Sequence, residues 1–160
     1  MYSKSMKILL YFAAFSNSVI GPSVNRLFTA PDGLKLFIEP DQKYNWFQAW
    51  NECASRNMSL IEFSTVEKYS SIRNLLKNAS YTNRNLWLGG TDLGEEGTFI
   101  WASTGKKFDY TNWHQNNPDN YLSKEHCVHI WEGTNFEWND NDCWAKMGII
   151  CQENRCNQPG

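Results

Sequence analysis

The sequence predicts an α+β domain, and three observations carry that prediction. Two stretches show helical periodicity, several short apolar runs bounded by turn residues read as strands, and one long Asn- and Asp-rich segment has no period of its own. Taken in order, residues 34–39 alternate as a strand and are expected to stop at Pro40, which has no ladder donor. Tyr44, Phe47, Ala49, Trp50 and Cys53 then form the apolar face of a helix that ends near Arg56. Ser64-Thr65-Val66-Glu67 has the pattern of a capping box, and the helix it opens runs to Asn78 with Tyr69, Ile72, Leu75 and Leu76 inward. Residues 86–90, 99–101, 127–131 and 148–151 supply the remaining strands. Between them, residues 104–124 form a loop of a length that compact domains keep for function.

Composition bounds the class. A chain of 160 residues with 41% hydrophobic content has material for one core. Eight Trp and a 15% aromatic fraction predict that rings build it, with Trp87, Trp101, Trp113 and Trp138 packed inward. A net charge of −2 without a basic stripe gives no electrostatic footprint for nucleic acid or an anionic membrane.

The first 21 residues read as a secretory signal peptide. Lys4 and Lys7 precede an apolar run over residues 8–15, and small residues follow near Ser18 and Gly21. That run is too short to span a bilayer. The sequons at Asn57 and Asn78 make sense on the same secretory, extracellular route. So do the five cysteines: in an oxidising compartment four pair, in any of three connectivities, and one is left over.

The chemistry lies in residues 117–140. Asn117, Asp119, Glu125, Asn139 and Asp140 are five oxygen-bearing side chains, three of them charged, and Pro118 stiffens the first pair. Calcium takes six to eight oxygen ligands, so this donor set suits it. Because the ligands come from separated segments, a fold must gather them. No nucleophile–base constellation accompanies them, so no enzyme is expected. His126 and His129 are an odd number apart along a strand and face opposite sides, which makes no zinc pair. His114 reads as a solvated loop residue.

Several of these motifs together resemble the C-type lectin domain over residues 34–153, in the secreted single-domain form found in insects, followed by a tail at residues 154–160. The match is carried by Trp46 to Cys53, by Leu86-Trp87-Leu88-Gly89-Gly90-Thr91-Asp92 and by Asn117-Pro118-Asp119. It continues with Glu125-His126-Cys127-Val128, Trp138-Asn139-Asp140, Cys143 and Cys151.

The resemblance implies two helices packed on small antiparallel sheets, a long calcium-binding loop region and the disulfides Cys53–Cys151 and Cys127–Cys143. It implies Ca²⁺ held by Asn117, Asp119, Glu125, Asn139 and Asp140, with two vicinal sugar hydroxyls completing the coordination. Related lectins with Glu-Pro-Asn here favour mannose-type sugars, and those with Gln-Pro-Asp favour galactose-type sugars. Asn117-Pro118-Asp119 has the donor-then-acceptor order of the second group. Tyr121 stands where galactose-binding relatives carry a stacking aromatic. The sugar contacts expected are therefore Asn117, Asp119, Tyr121, Glu125 and Asn139, and the expected partner is a glycan ending in a galactose-type sugar. A second calcium position is expected at Asp92, Glu96 and Asn120. Cys156, left outside the pairs, is expected either as a free thiol or as the bond of a homodimer. The competing expectation is a domain of this fold that binds a protein partner without sugar.

Overall fold

The computed structural model describes residues 26–155; the expected signal segment and Cys156 lie outside the described residues. In chain order the elements are β1 (Leu27–Thr29), β2 (Lys35–Tyr44), α1 (Trp46–Ser55), β3 (Met58–Leu60), α2 (Val66–Asn78), β4 (Leu86–Thr91), β5 (Ile100–Trp101) and β6 (Lys106–Lys107). A single 3₁₀ turn (Tyr121–Ser123) precedes β7 (Cys127–Ile130), β8 (Trp138–Asn141) and β9 (Met147–Glu153).

Strand β9 joins the two halves of the sheet. It runs antiparallel to β2 and β3 and parallel to β4. Strand β4 in turn pairs antiparallel with β5 and β7, and β7 with β8. All six residues of β4 are buried, as expected of a strand read as a continuous apolar run. Gly90 belongs there for a steric reason: a Cβ would stand 2.4 Å from the Phe108 ring.

Two expectations about the N-terminal half are corrected. Strand β2 does not stop at Pro40 but continues to Tyr44. Its register against β9 shifts between Glu39 and Tyr44, so Pro40 sits at an irregularity where no ladder donor is needed. Gly148 permits that close crossing, since a Cβ there would lie 2.6 Å from the Glu39 carbonyl oxygen. On α1 the buried residues are Trp46, Ala49 and Cys53. Phe47 and Trp50, expected on the inward face, are 37% and 40% exposed. The Trp46 indole reaches inward instead and donates to the Leu88 carbonyl at 2.8 Å.

The reciprocal capping box also belongs to the other helix. Asn45 Oδ1 accepts from Gln48 N at 2.8 Å, and Gln48 Oε1 accepts from Asn45 N at 3.2 Å. Helix α2 starts from Thr65 alone, whose hydroxyl accepts from Lys68 N at 3.2 Å, and it ends at Asn78 as expected. Of its expected inward residues, Tyr69, Ile72 and Leu76 are buried and Leu75 packs half-buried against the core.

The core is built from rings. Phe63 stacks on Trp138 at 5.6 Å, and Trp101 meets the same indole edge-on at 5.9 Å. Trp87, Trp101 and Trp138 are buried, and Trp113 packs against the cluster from its rim. A second cluster surrounds the two disulfides, Cys53–Cys151 and Cys127–Cys143, the expected pairs. They span 98 and 16 residues. In the chain-entropy description they restrict the unfolded chain by about 4–5 and about 3 kcal/mol.

Candidate functional site

Three segments converge at the end of the β7–β8 hairpin: the loop after Asn117, the approach to β7, and β8 itself. Carboxylate oxygens of Asp119, Glu125 and Asp140 all lie within 4.8 Å of one another. Asp140 is placed by β8, where it pairs with Val128. Its two oxygens accept from the backbone N–H groups of Asp119 (3.1 Å) and Asn120 (2.9 Å), which ties the loop to the strand. Glu125 is fixed from both ends. Its N–H donates to Asn120 Oδ1 at 3.1 Å, and its Oε2 accepts from Tyr121 N at 3.3 Å.

The loop between them is tightly wound. Asn116, Asn120, Leu122 and Ser123 all have positive φ, and the Asn117–Pro118 peptide is cis. Asn accepts the left-handed region readily, whereas Leu122 does so at a steric cost of the kind found near ligand sites.

The electrostatics of the cluster favour a cation. Burial pushes the Glu125 carboxyl up to about 7, and the nearby Asp140 and Asp119 add to the rise against the Tyr121 N–H. Burial likewise raises Asp140, against the N–H donors of Asn120 and Asp119. Asn139 precedes Asp140 on β8. It is 8% exposed, and its Oδ1 is buried without any hydrogen-bond partner among the described residues. Three carboxylates drawn together, with an orphaned buried acceptor on the residue that precedes Asp140, suit a hard cation that takes oxygen ligands, and calcium fits them. Asn117 stands half-buried in the same loop, two residues before Asp119, with its N–H donating to the His114 carbonyl at 3.0 Å. Tyr121 is 64% exposed beside the cluster.

A second group contains Asp92 and Glu96, but its third member is His126. The His126 Nδ1 lies 3.1 Å from Asp92 Oδ1 and 3.4 Å from Glu96 Oε2. Asn120, expected there, has its side-chain oxygen on the Glu125 N–H. The sequence reading missed His126 because its proximity to Asp92 comes from pairing: Thr91 opposes Cys127 across β4 and β7, so the next residues out face each other.

His129 is separate from it. Burial holds its imidazole down to about 4, and the ring stands edge-on to Trp87 at 5.7 Å. His114 is not merely solvated, since its Nδ1 lies 2.6 Å from Glu137 Oε2 and its ring packs edge-on to Trp131. The two sequon asparagines, Asn57 and Asn78, are both exposed.

Comparison with known proteins bears on this arrangement. The family model described as the lectin C-type domain matches residues 42–153. Lectin subunit alpha of Sarcophaga peregrina is 40% identical over 152 residues, covering 91% of this chain. The chain spans about half, 53%, of that relative's length. The galactose-specific lectin nattectin of Thalassophryne nattereri is 30% identical, with 84% of this chain and 88% of the relative covered. Among solved structures, the mouse scavenger receptor C-type lectin carbohydrate-recognition domain superposes with a TM-score of 0.70. It is 23% identical and covers 87% of this chain and 100% of that domain, a likeness of fold. On the family match, the relatives and the shared fold with its two disulfides, this chain belongs to the C-type lectin domain family.

Proposed function

We propose that this chain is a secreted, calcium-dependent lectin that prefers galactose-type sugars. The convergence of Asp119, Glu125 and Asp140, with the orphaned oxygen of Asn139 on the adjacent residue of β8, carries the reading. A calcium ion held by these residues and Asn117 would supply open coordination positions for two vicinal sugar hydroxyls. The side chains then read the sugar with their remaining capacity. The Asn117 amide donates, the Asp119 carboxylate only accepts, and the exposed Tyr121 ring offers a face to the apolar side of a galactose ring. A relative named as galactose-specific supports the same preference.

Secretion rests on the signal-like residues 1–21, the two disulfides and the two exposed sequons. No helix of the described residues is long and apolar enough to cross a membrane. The deciding experiment is retention on immobilised galactose in calcium, with elution by chelator and competition by galactose over mannose. Retention that ignores chelator would overturn the proposed site. Calcium binding without retention on any glycan would leave the protein-partner reading in its place.

A further inference from the structure

A second cleft lies apart from the calcium-site residues, none of which lines it. It encloses about 730 Å³ between β3, the end of β9, the first turn of α2 and the turn joining β5 to β6. That volume falls in the range of small-ligand sites.

The cleft is built from polar groups held in place. Glu62 projects a carboxylate whose Oε2 accepts from the hydroxyls of Ser103 (3.2 Å) and Thr104 (3.1 Å). Lys68 donates to Gln152 Oε1 at 2.8 Å and has no carboxylate within ion-pair distance among the described residues. Burial holds its ammonium below the ordinary lysine range, so the charge is partly desolvated. Gln152 is 9% exposed. Its Oε1 is used by Lys68 and by the Glu62 N–H, while its Nε2 amide has no acceptor among the described residues. Trp50, 40% exposed, forms an aromatic wall.

These groups select a ligand class. Three cations and four carboxylates line the cleft, so the field favours neither a polyanion nor a polycation. Arg155 is engaged by Asp32 and Glu153 in any case. What remains is a carboxylate acceptor, an ammonium donor and a free amide donor beside an indole face. Adjacent hydroxyls can donate to the first and accept from the others, while a pyranose C–H face packs on the ring.

We infer that this cleft is a second carbohydrate site, independent of calcium, for a neutral oligosaccharide. Glu62, Lys68 and Gln152 bind hydroxyls, and Trp50 stacks on a sugar ring. One chain then carries two sugar sites, and a branched or clustered glycan gains effective concentration at the second once the first is engaged.

The test uses the ¹⁵N-labelled full chain in chelator, with maltotriose, cellotriose and chitotriose as neutral probes and trigalacturonate as the acidic control. A neutral probe is expected to shift amide signals of Lys68, Ser103, Thr104 and Gln152, with a Kd of roughly millimolar order. Glu62→Ala and Trp50→Ala should each weaken that response about tenfold while calcium-dependent galactose retention is unchanged. Absence of shifts with all three neutral probes would overturn the inference, as would a response undiminished from wild type in both variants or a response to trigalacturonate alone. Chelator keeps the calcium site out of the measurement, so the outcome is independent of the proposed lectin activity.

Discussion

Glu125 should make calcium binding proton-linked at neutral pH. Without an ion its carboxyl is pushed up to about 7 by burial and by Asp140 and Asp119, so near neutrality it is half protonated. A bound cation requires the ionised form, so binding at about pH 7 should release about half a proton from this group. A single group of that pKa weakens apparent affinity about tenfold between about pH 8 and about pH 6. The assay is calorimetric calcium titration in two buffers of different ionisation heat, repeated across that range. Glu125→Gln should abolish most of the pH dependence and start from a weaker affinity at the alkaline end.

The ion-free stability should run the opposite way. A carboxyl raised in the folded state contributes stability that is fully present below its unfolded value and is lost as pH rises through about 7. Thermal melts in chelator should therefore fall over that window, and saturating calcium should reverse the trend. Calcium heats that do not depend on buffer, together with an affinity flat from about pH 8 to about pH 6, would refute the proposal that Glu125 shares the ion.

Three further outcomes are expected. Asn117→Glu combined with Asp119→Asn reverses the donor order at unchanged net charge, so mannose should compete better than galactose in the retention assay. Trp138→Ala empties the site on which Phe63 and Trp101 pack, and chemical unfolding should show a loss of about 3–5 kcal/mol. Cys127→Ser with Cys143→Ser removes a 16-residue clamp next to β8, so stability should drop by about 3 kcal/mol and calcium affinity should fall with it.

The sequence was most legible where one property dominated. Strands β4, β7 and β9 are apolar runs, and α2 has an unbroken 3.6-residue period, so both kinds of element stand out. Strand β8 reads Trp-Asn-Asp-Asn and looks like a polar loop. It is a strand because Trp138 anchors the core and because its backbone pairs with β7. Strands β1 and β3 are three residues each; β1 exists by hairpin pairing with β2, and β3 by pairing with β9 far along the chain. The face of α1 was misread for the same reason. Trp46 and Phe47 are adjacent aromatics that each start an apolar stripe, through Ala49 and Cys53 or through Trp50, and the bond from the Trp46 indole to the Leu88 carbonyl draws the first stripe inward. Within the site, donor chemistry marked Asp119, Glu125 and Asp140, but the His126–Asp92 approach follows from a strand register that a single sequence does not display.

The first and last described strands have a consequence for how the domain can be joined to other chains. The carbonyl of Arg26, at the mouth of β1, accepts from Ile38 in β2, and Arg155, beyond β9, donates to the Asp32 carbonyl in the β1–β2 turn at 3.2 Å. The two ends of the described chain therefore lie at opposite ends of one hairpin, Arg26 at its open end and Arg155 at its turn, and no residue of the proposed calcium site belongs to β1, β2 or β9. Such a unit is suited to joining in line, with a preceding segment entering at one end of the hairpin and a following segment leaving at the other, both away from the carboxylate cluster. A linker long enough to run the length of β1 could join the two ends, and new termini could be cut at the exposed Gly133 turn. Circular permutants made this way should keep both disulfides and the calcium cluster.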